Sequence, residues 1–116
     1  MNIPQTSCDY YQSALTFNKR DLLSVLNAYG IKSATSYYLN LGDEINTAEI
    51  VTKVGLPCFV KANKAGSSFG ITKVYEEANL IGAIESAYKE DDEIIIESFL
   101  NGTEVSVGVI KYQGKI

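Results

Sequence analysis

The sequence predicts a mixed α+β fold in one small domain, and three observations carry that expectation. Two stretches set apolar residues at helical spacing behind an asparagine cap. Several short runs rich in β-branched and aromatic residues alternate, or stay apolar throughout, as strands do. Glycines stand where one kind of segment gives way to the other. A length of 116 residues suits one modest domain and is too short for two of ordinary size.

In chain order, about the first 16 residues show no clear period and are expected to be irregular. Asn18 opens a helix as its cap, with Asp21 three residues on and Leu22, Val25, Leu26 and Tyr29 on one stripe. Gly30 ends it at the usual position past the last turn. "IKSATSYYL" has room for a short strand, and "LGDE" forms a turn. Asn46 with Glu49 repeats the cap, Ile50, Val51 and Val54 form the buried stripe, and Gly55 terminates that helix. "LPCFVKAN" follows as a strand, with Pro57 at its start, where a missing N–H is tolerated. A Gly-Ser loop leads to "ITKVY", a second strand, and Glu76 to Lys89 is a helix with Leu80, Ile81, Ile84, Ala87 and Tyr88 apolar. "DEIIIESFL" is a strand whose unbroken apolar run implies burial on both faces. "TEVSVGVIKYQGKI" alternates as a last strand, with Gln113-Gly114 as the turn toward a partner. Only two residues follow that turn, as though the chain were cut inside a hairpin.

Composition narrows the function. Hydrophobic content of 46% with 21% charged residues argues against disorder. No apolar run approaches a bilayer's span, and "MNIPQTSCDYYQ" lacks the basic start and apolar core of a secretory signal, so a cytoplasmic protein with no membrane contact is expected. A net charge of −4 speaks against nucleic acid as a partner, and nine lysines with one arginine make any anion site lysine-based. Cys8 and Cys58 have no paired spacing and are expected to be reduced, Cys58 as a small core residue. With no histidine, a histidine-based triad and a zinc site are both out.

The stretch "VKANKAGSSFG" concentrates the chemistry. It fails the phosphate-loop pattern, because Gly70 is followed by Ile71, Thr72 and Lys73 rather than by lysine and a hydroxyl. A glycine-flanked hairpin loop remains, whose N–H groups and two hydroxyls can form an anion nest. Alternation puts Phe59 and Lys61 on one strand face and Cys58 and Val60 on the other. Lys61 is either an edge lysine that discourages aggregation or an ammonium that meets an anion. Glu97 closes "IIIE", where burial without a donor is costly, unless it already stands in water. Glu104 opens the last strand and by itself fits a solvated face. Together these groups supply cations for phosphates and acceptors for amino or hydroxyl groups, which is the pattern a nucleoside triphosphate presents.

Three blocks in order, "IPQTSCDYYQSALTFNKRDLLSVLNAYGI", "GLPCFVKANKAGSSFGITKV" and "IIIESFLNGTEVSVGVI", resemble the central part of D-alanine–D-alanine ligases of the ATP-grasp superfamily. The resemblance implies the ATP-grasp central subdomain, a small antiparallel sheet packed with helices. Residues 1–17 would be a lead-in from a preceding domain, 18–102 the subdomain itself, and 103–116 the start of a C-terminal subdomain. It further implies that Lys19 reaches the ATP phosphates and that Lys61 touches phosphate and the adenine edge, with Phe59 packing on the base. Gly66, Ser67, Ser68 and Gly70 would close over the triphosphate, with Ser67 near the amino-acid site as the one catalytic candidate. Glu97 would take the adenine amino group, Ser98 and Leu100 would offer backbone groups, and Glu104 would hold the ribose hydroxyls. The sequence departs from the family pattern at Asn18, Ala62 and Ala65, where aspartate, proline and glutamate are usual.

The resemblance also implies the reaction, formation of an acyl phosphate from D-alanine and ATP followed by amide formation with a second D-alanine, for peptidoglycan precursors. Mg2+ or Mn2+ would serve the whole enzyme through ligands beyond residue 116, so no metal ligand is expected here and the segment alone is expected to be inactive. The exposed last strand predicts a homodimer or another edge-paired assembly. The alternatives are a stand-alone α+β binding module, or a relative joining D-alanine to another acid such as D-lactate.

Overall fold

The structure, a computed structural model, describes residues 7–110 and 112–116. Its first element corrects an expectation. Residues Tyr10–Phe17 form a helix (α1), capped by Asp9, whose carboxylate accepts from the N–H groups of Tyr11 and Gln12 at 3.0 Å each. None of its residues is buried, so no apolar stripe betrays it. The legible signal is Asp9 with Gln12 three residues on, a capping-box spacing. Residues 1–6, for which an irregular course was also expected, lie outside the described residues.

Helix α2 (Lys19–Ala28) starts where Asn18 predicts, its side chain accepting from Asp21 N–H at 3.1 Å. Its expected stripe is only partly sheltered: Leu22 and Leu26 are half-buried, whereas Val25 and Tyr29 are exposed. Strand β1 (Ser36–Asn40) follows, then α3 (Thr47–Val54), capped by Asn46 and closed at Gly55, with Ile50 and Val54 buried. Strands β2 (Cys58–Ala62) and β3 (Ile71–Val74) form the hairpin around the Gly-Ser loop. The expected long helix begins instead as a 3-10 turn, Glu77–Asn79, and becomes α-helical only over α4 (Leu80–Ala87). Within it Leu80, Ile84 and Ala87 are buried, but Ile81 is half exposed. Strand β4 (Glu93–Ser98) completes a four-stranded antiparallel sheet in the order β1-β4-β2-β3.

The register sorts side chains onto two faces. Leu39, Ile94, Ile96, Cys58, Val60 and Val74 face α3 and α4 and make the core with Ile50, Leu80 and Ile84. Burying this apolar area is the main stabilising term, at roughly 25 cal/mol per Å². Cys58 is fully buried there, which pushes its thiol pKa up, and Cys8 is exposed; neither is paired. On the opposite face three rows cross the strands. One runs Ser36, Glu97, Phe59, Lys73; the next Tyr38, Ile95, Lys61, Ile71; the third Asn40, Glu93, Asn63. Arg20 at the start of α2 lies over Tyr38 in the middle row, 4.9 Å from its ring centre. Ile95 is as buried as Ile94 and Ile96, so the run is covered on both faces as expected.

After β4 the prediction fails in part. Residues 103–110 form no strand, and Val105, Val107 and Val109 are each at least 73% exposed. A strand exists only as half of a ladder, and no described segment offers these residues the other half. The turn at Gln113-Gly114 does form, with φ of 49° and 78°, and Tyr112 and Lys115 exchange both backbone hydrogen bonds across it at 2.8 and 3.0 Å. Positive φ at both central positions is what a two-residue hairpin turn requires.

Candidate functional site

The uncovered end of the second sheet face, together with the segment after β4, encloses a hollow of about 620 Å³. Phe59 and Lys61 enter it from β2, Glu97 and Ser98 from β4, and Leu100 and Glu104 from the stretch that follows. Six of the residues singled out from the sequence therefore meet in one concavity. Phe99 also lines it and was not foreseen. Its ring centre lies 6.2 Å from that of Phe59 with the planes tilted by 40°, so the two make an aromatic wall.

Lys61 and Glu97 are diagonal neighbours across β2 and β4, and their side chains form a charge-assisted hydrogen bond. With only 24% and 13% of their side chains exposed, neither could remain there uncompensated. The edge-lysine alternative fails on this geometry, since β2 lies between β3 and β4 inside the sheet. A second lysine was missed. Lys73, opposite Phe59 in the register, sets its ammonium 3.9 Å from the Phe99 ring centre and 5.5 Å from that of Phe59. Its alternation within "ITKVY" was visible, but only the strand register shows that it meets the rings.

Ser98, in the lining of the hollow, accepts with its hydroxyl oxygen from the N–H of Thr35 at 3.0 Å, tying the entry of β1 to the end of β4. Other predicted residues stand elsewhere. Gly66, Ser67, Ser68 and Gly70 form the turn between β2 and β3 and do not line the hollow. Ser67 and Ser68 both take left-handed φ, 51° and 62°, a conformation that costs non-glycine residues energy and tends to mark functional loops. At Gly70, φ 65°, a side chain would be strained and crowded: a Cβ there would lie 3.1 Å from Ala62 Cβ and 3.0 Å from Glu90 Cγ.

Lys19 lies at the root of this loop rather than in the hollow. Its ammonium donates to the carbonyls of Ala62, Asn63 and Ala65 at 2.9, 3.1 and 2.8 Å. Burial lowers its pKa, and the nearby Lys61 charge lowers it further. The charges of Glu97 and Asp91 act on it in the opposite sense. The departures from the family pattern fit the same spot: Ala62, unlike proline, has an N–H and gives it to Gly70 O at 3.2 Å, and the Ala65 carbonyl is held by Lys19. Among the described residues, no three acidic, histidine or cysteine side chains converge on a point where they could hold a metal.

The sequence profile described as "D-ala D-ala ligase C-terminus" matches residues 25–116. A D-alanine–D-alanine ligase from Flavobacterium johnsoniae is 80% identical over the whole chain, which spans 36% of that relative. The crystal structure of VanG D-Ala:D-Ser ligase from Enterococcus faecalis superimposes with a TM-score of 0.77 at 39% identity, over 86% of this chain and 29% of that one. The D-alanine–D-alanine ligase from Bacillus anthracis complexed with ATP gives 0.66 at 27% identity, over 78% and 29%. The chain thus spans about a third of the length of the relatives it matches, and within that span sequence profile, close identity and backbone agree: it belongs to the D-alanine–D-alanine ligase family and has the ATP-grasp fold.

Proposed function

We propose that this chain is the nucleotide-binding portion of an ATP-dependent ligase that joins two D-alanines. The observation that carries the reading is the meeting of the Lys61–Glu97 pair, the Phe59–Phe99 wall and Glu104 in one hollow. A purine ring would lie against the aromatic wall, with Glu97 accepting from its amino group and the backbone around Ser98 and Leu100 completing its edge. Glu104 would accept from the ribose hydroxyls. Lys61 would direct its charge to the phosphates, joined by Lys19 from the loop root, and the 66–70 loop would close above them. Ser67 would then lie near the amino acid. The ATP complex of the Bacillus anthracis relative supports the choice of nucleotide.

In the reaction, a D-alanine carboxylate oxygen attacks the γ-phosphorus and ADP leaves, giving an acyl phosphate. The amine of the second D-alanine then attacks the acyl carbon, and inorganic phosphate leaves as the amide forms. Catalysis of the first step is mainly positioning and charge stabilisation, which is what lysines and N–H groups in a closed site provide. No step is assigned to a metal held by this segment. The 18–102 region would be the ATP-grasp central subdomain and residues 103–116 the start of the next, in a cytoplasmic enzyme that supplies peptidoglycan precursors. The likeness to a D-Ala:D-Ser ligase favours one second reading, the same chemistry with a different second substrate.

Titration calorimetry with ATP and magnesium tests the nucleotide site. Weak binding is expected for this segment by itself, without ligase turnover. Heat indistinguishable from buffer at millimolar ATP would remove the reading.

A further inference from the structure

Among the described residues, Asn63 is the one polar side chain that is fully buried, at 1% exposure. Every hydrogen-bonding group it carries is used. Its Oδ1 accepts from Arg20 N–H at 2.8 Å, and its Nδ2 donates to Asn18 Oδ1 at 2.9 Å and to Glu93 Oε2 at 2.7 Å. Its backbone N–H donates to Glu93 O at 2.9 Å, and its carbonyl accepts from both Lys19 N and Lys19 Nζ. Only a short amide can accept from one N–H and donate to two oxygens from this position; aspartate lacks the donors, and glutamine is a methylene too long.

These bonds complete the start of α2. Its first four N–H groups, counted from the cap Asn18, have no partner within the helix's own turns. Asn18 N goes to Ala14 O, Lys19 N to Asn63 O, Arg20 N to Asn63 Oδ1, and Asp21 N to Asn18 Oδ1. Asn63 supplies two of the four acceptors and orients Asn18, which supplies a third. The helix is thereby registered against the end of β2. Lys19, its first residue, is delivered onto the carbonyls of Ala62, Asn63 and Ala65, at the edge of the 66–70 loop.

We propose that Asn63 is a positioning residue for the 66–70 loop: acting through Lys19, it fixes the loop's root relative to Lys61. A buried amide is a costly way to fill space that an apolar side chain would fill well. What it provides is one defined arrangement of helix, strand and loop. Its consequence for catalysis rests on the nucleotide reading above; the positioning itself does not.

The test is hydrogen–deuterium exchange of residues 64–70 in the intact protein without nucleotide, comparing Asn63→Ala, Asn63→Asp, Lys19→Met and the Asn63→Ala/Lys19→Met double variant. Each single substitution should speed exchange of the loop by on the order of tenfold or more, while residues 94–96 in the core stay protected. The double variant should exchange no faster than Lys19→Met, because both substitutions cut the same connection. Additive effects, or an unchanged loop, would overturn the proposal. Should Asn63→Ala fail to fold, the Asp variant and Lys19→Met carry the test, and an unchanged loop in either overturns it. In parallel, ATP affinity should fall by about tenfold in Asn63→Asp. Failure of the unmodified protein to bind ATP would sink the nucleotide reading alone, and loop exchange would still decide the role of Asn63.

Discussion

Replacing Lys61 with methionine keeps most of the side chain's volume and removes its charge. Glu97 then remains with only 13% of its side chain exposed and without its ion-pair partner. Exposed pairs are worth about 0.2–1 kcal/mol, whereas breaking a fully buried one costs about 3–5 kcal/mol. The pair here lies between those limits, so a loss of about 2 kcal/mol is expected. With an unfolding entropy of about 2.1 cal/mol/K per residue, each kcal/mol moves Tm of a 116-residue domain by about 4 °C, so the single variant should melt roughly 8 °C lower. The double variant Lys61→Met/Glu97→Leu should recover most of that loss, because an apolar pair of similar shape carries no stranded charge. Differential scanning calorimetry reads the stability, and ATP titration should show both variants failing to bind. A double variant that melts no higher than the single one would refute the argument that the stranded Glu97 carries the cost.

Gly70→Ala should lose about 2–3 kcal/mol by denaturant unfolding, from left-handed backbone at φ 65° plus a methyl 3.1 Å from Ala62 Cβ. Gly66→Ala, whose new methyl would have Phe17 Cε2 as its nearest neighbour at 3.9 Å, should lose less than about 1 kcal/mol. The Glu93 carboxyl is held below its ordinary pKa first by the hydrogen bond from Lys64 and then by the one from Asn63. Its folded value lies below its unfolded value, so its contribution is present above the unfolded value and is lost as pH falls through the folded one. Melting temperature should accordingly drop on that acidic limb, and Glu93→Gln should flatten the drop. The 116-residue chain, with valines alternating over residues 103–110, should sediment as a dimer or larger assembly at high concentration, and Val107→Lys should shift it toward monomer. A monomer throughout would end the edge-pairing idea.

Much of the fold was legible because its signals are local. Asn18 and Asn46 cap the helices they predict, Gly55 closes one, and alternation put Phe59 and Lys61 on the same face. Helix α1 escaped notice because it buries nothing, and the periodic stripe by which helices are found exists only where there is a core to face. The strand expected over residues 103–110 erred the other way: alternation was present, but a strand needs a partner. At the site, Lys61 and Glu97 stood out as charges in apolar settings, whereas Glu104 by itself fitted a solvated face and Phe99 and Lys73 looked like ordinary strand residues.

From its own order of residues this chain determined the element types between Lys19 and Ser98, the asparagine caps and the family to which it belongs, because propensity, capping and motif spacing act over a few neighbouring positions. The sheet order β1-β4-β2-β3 was decided only by folding. That order makes Lys61 an interior residue facing Glu97, separates the 66–70 loop from the hollow, and brings Asn63 beneath the start of α2, 45 positions from Asn18 in the chain. Hydrogen-bond partners at such separation follow from strand register, and register is set by the burial of a whole face at once.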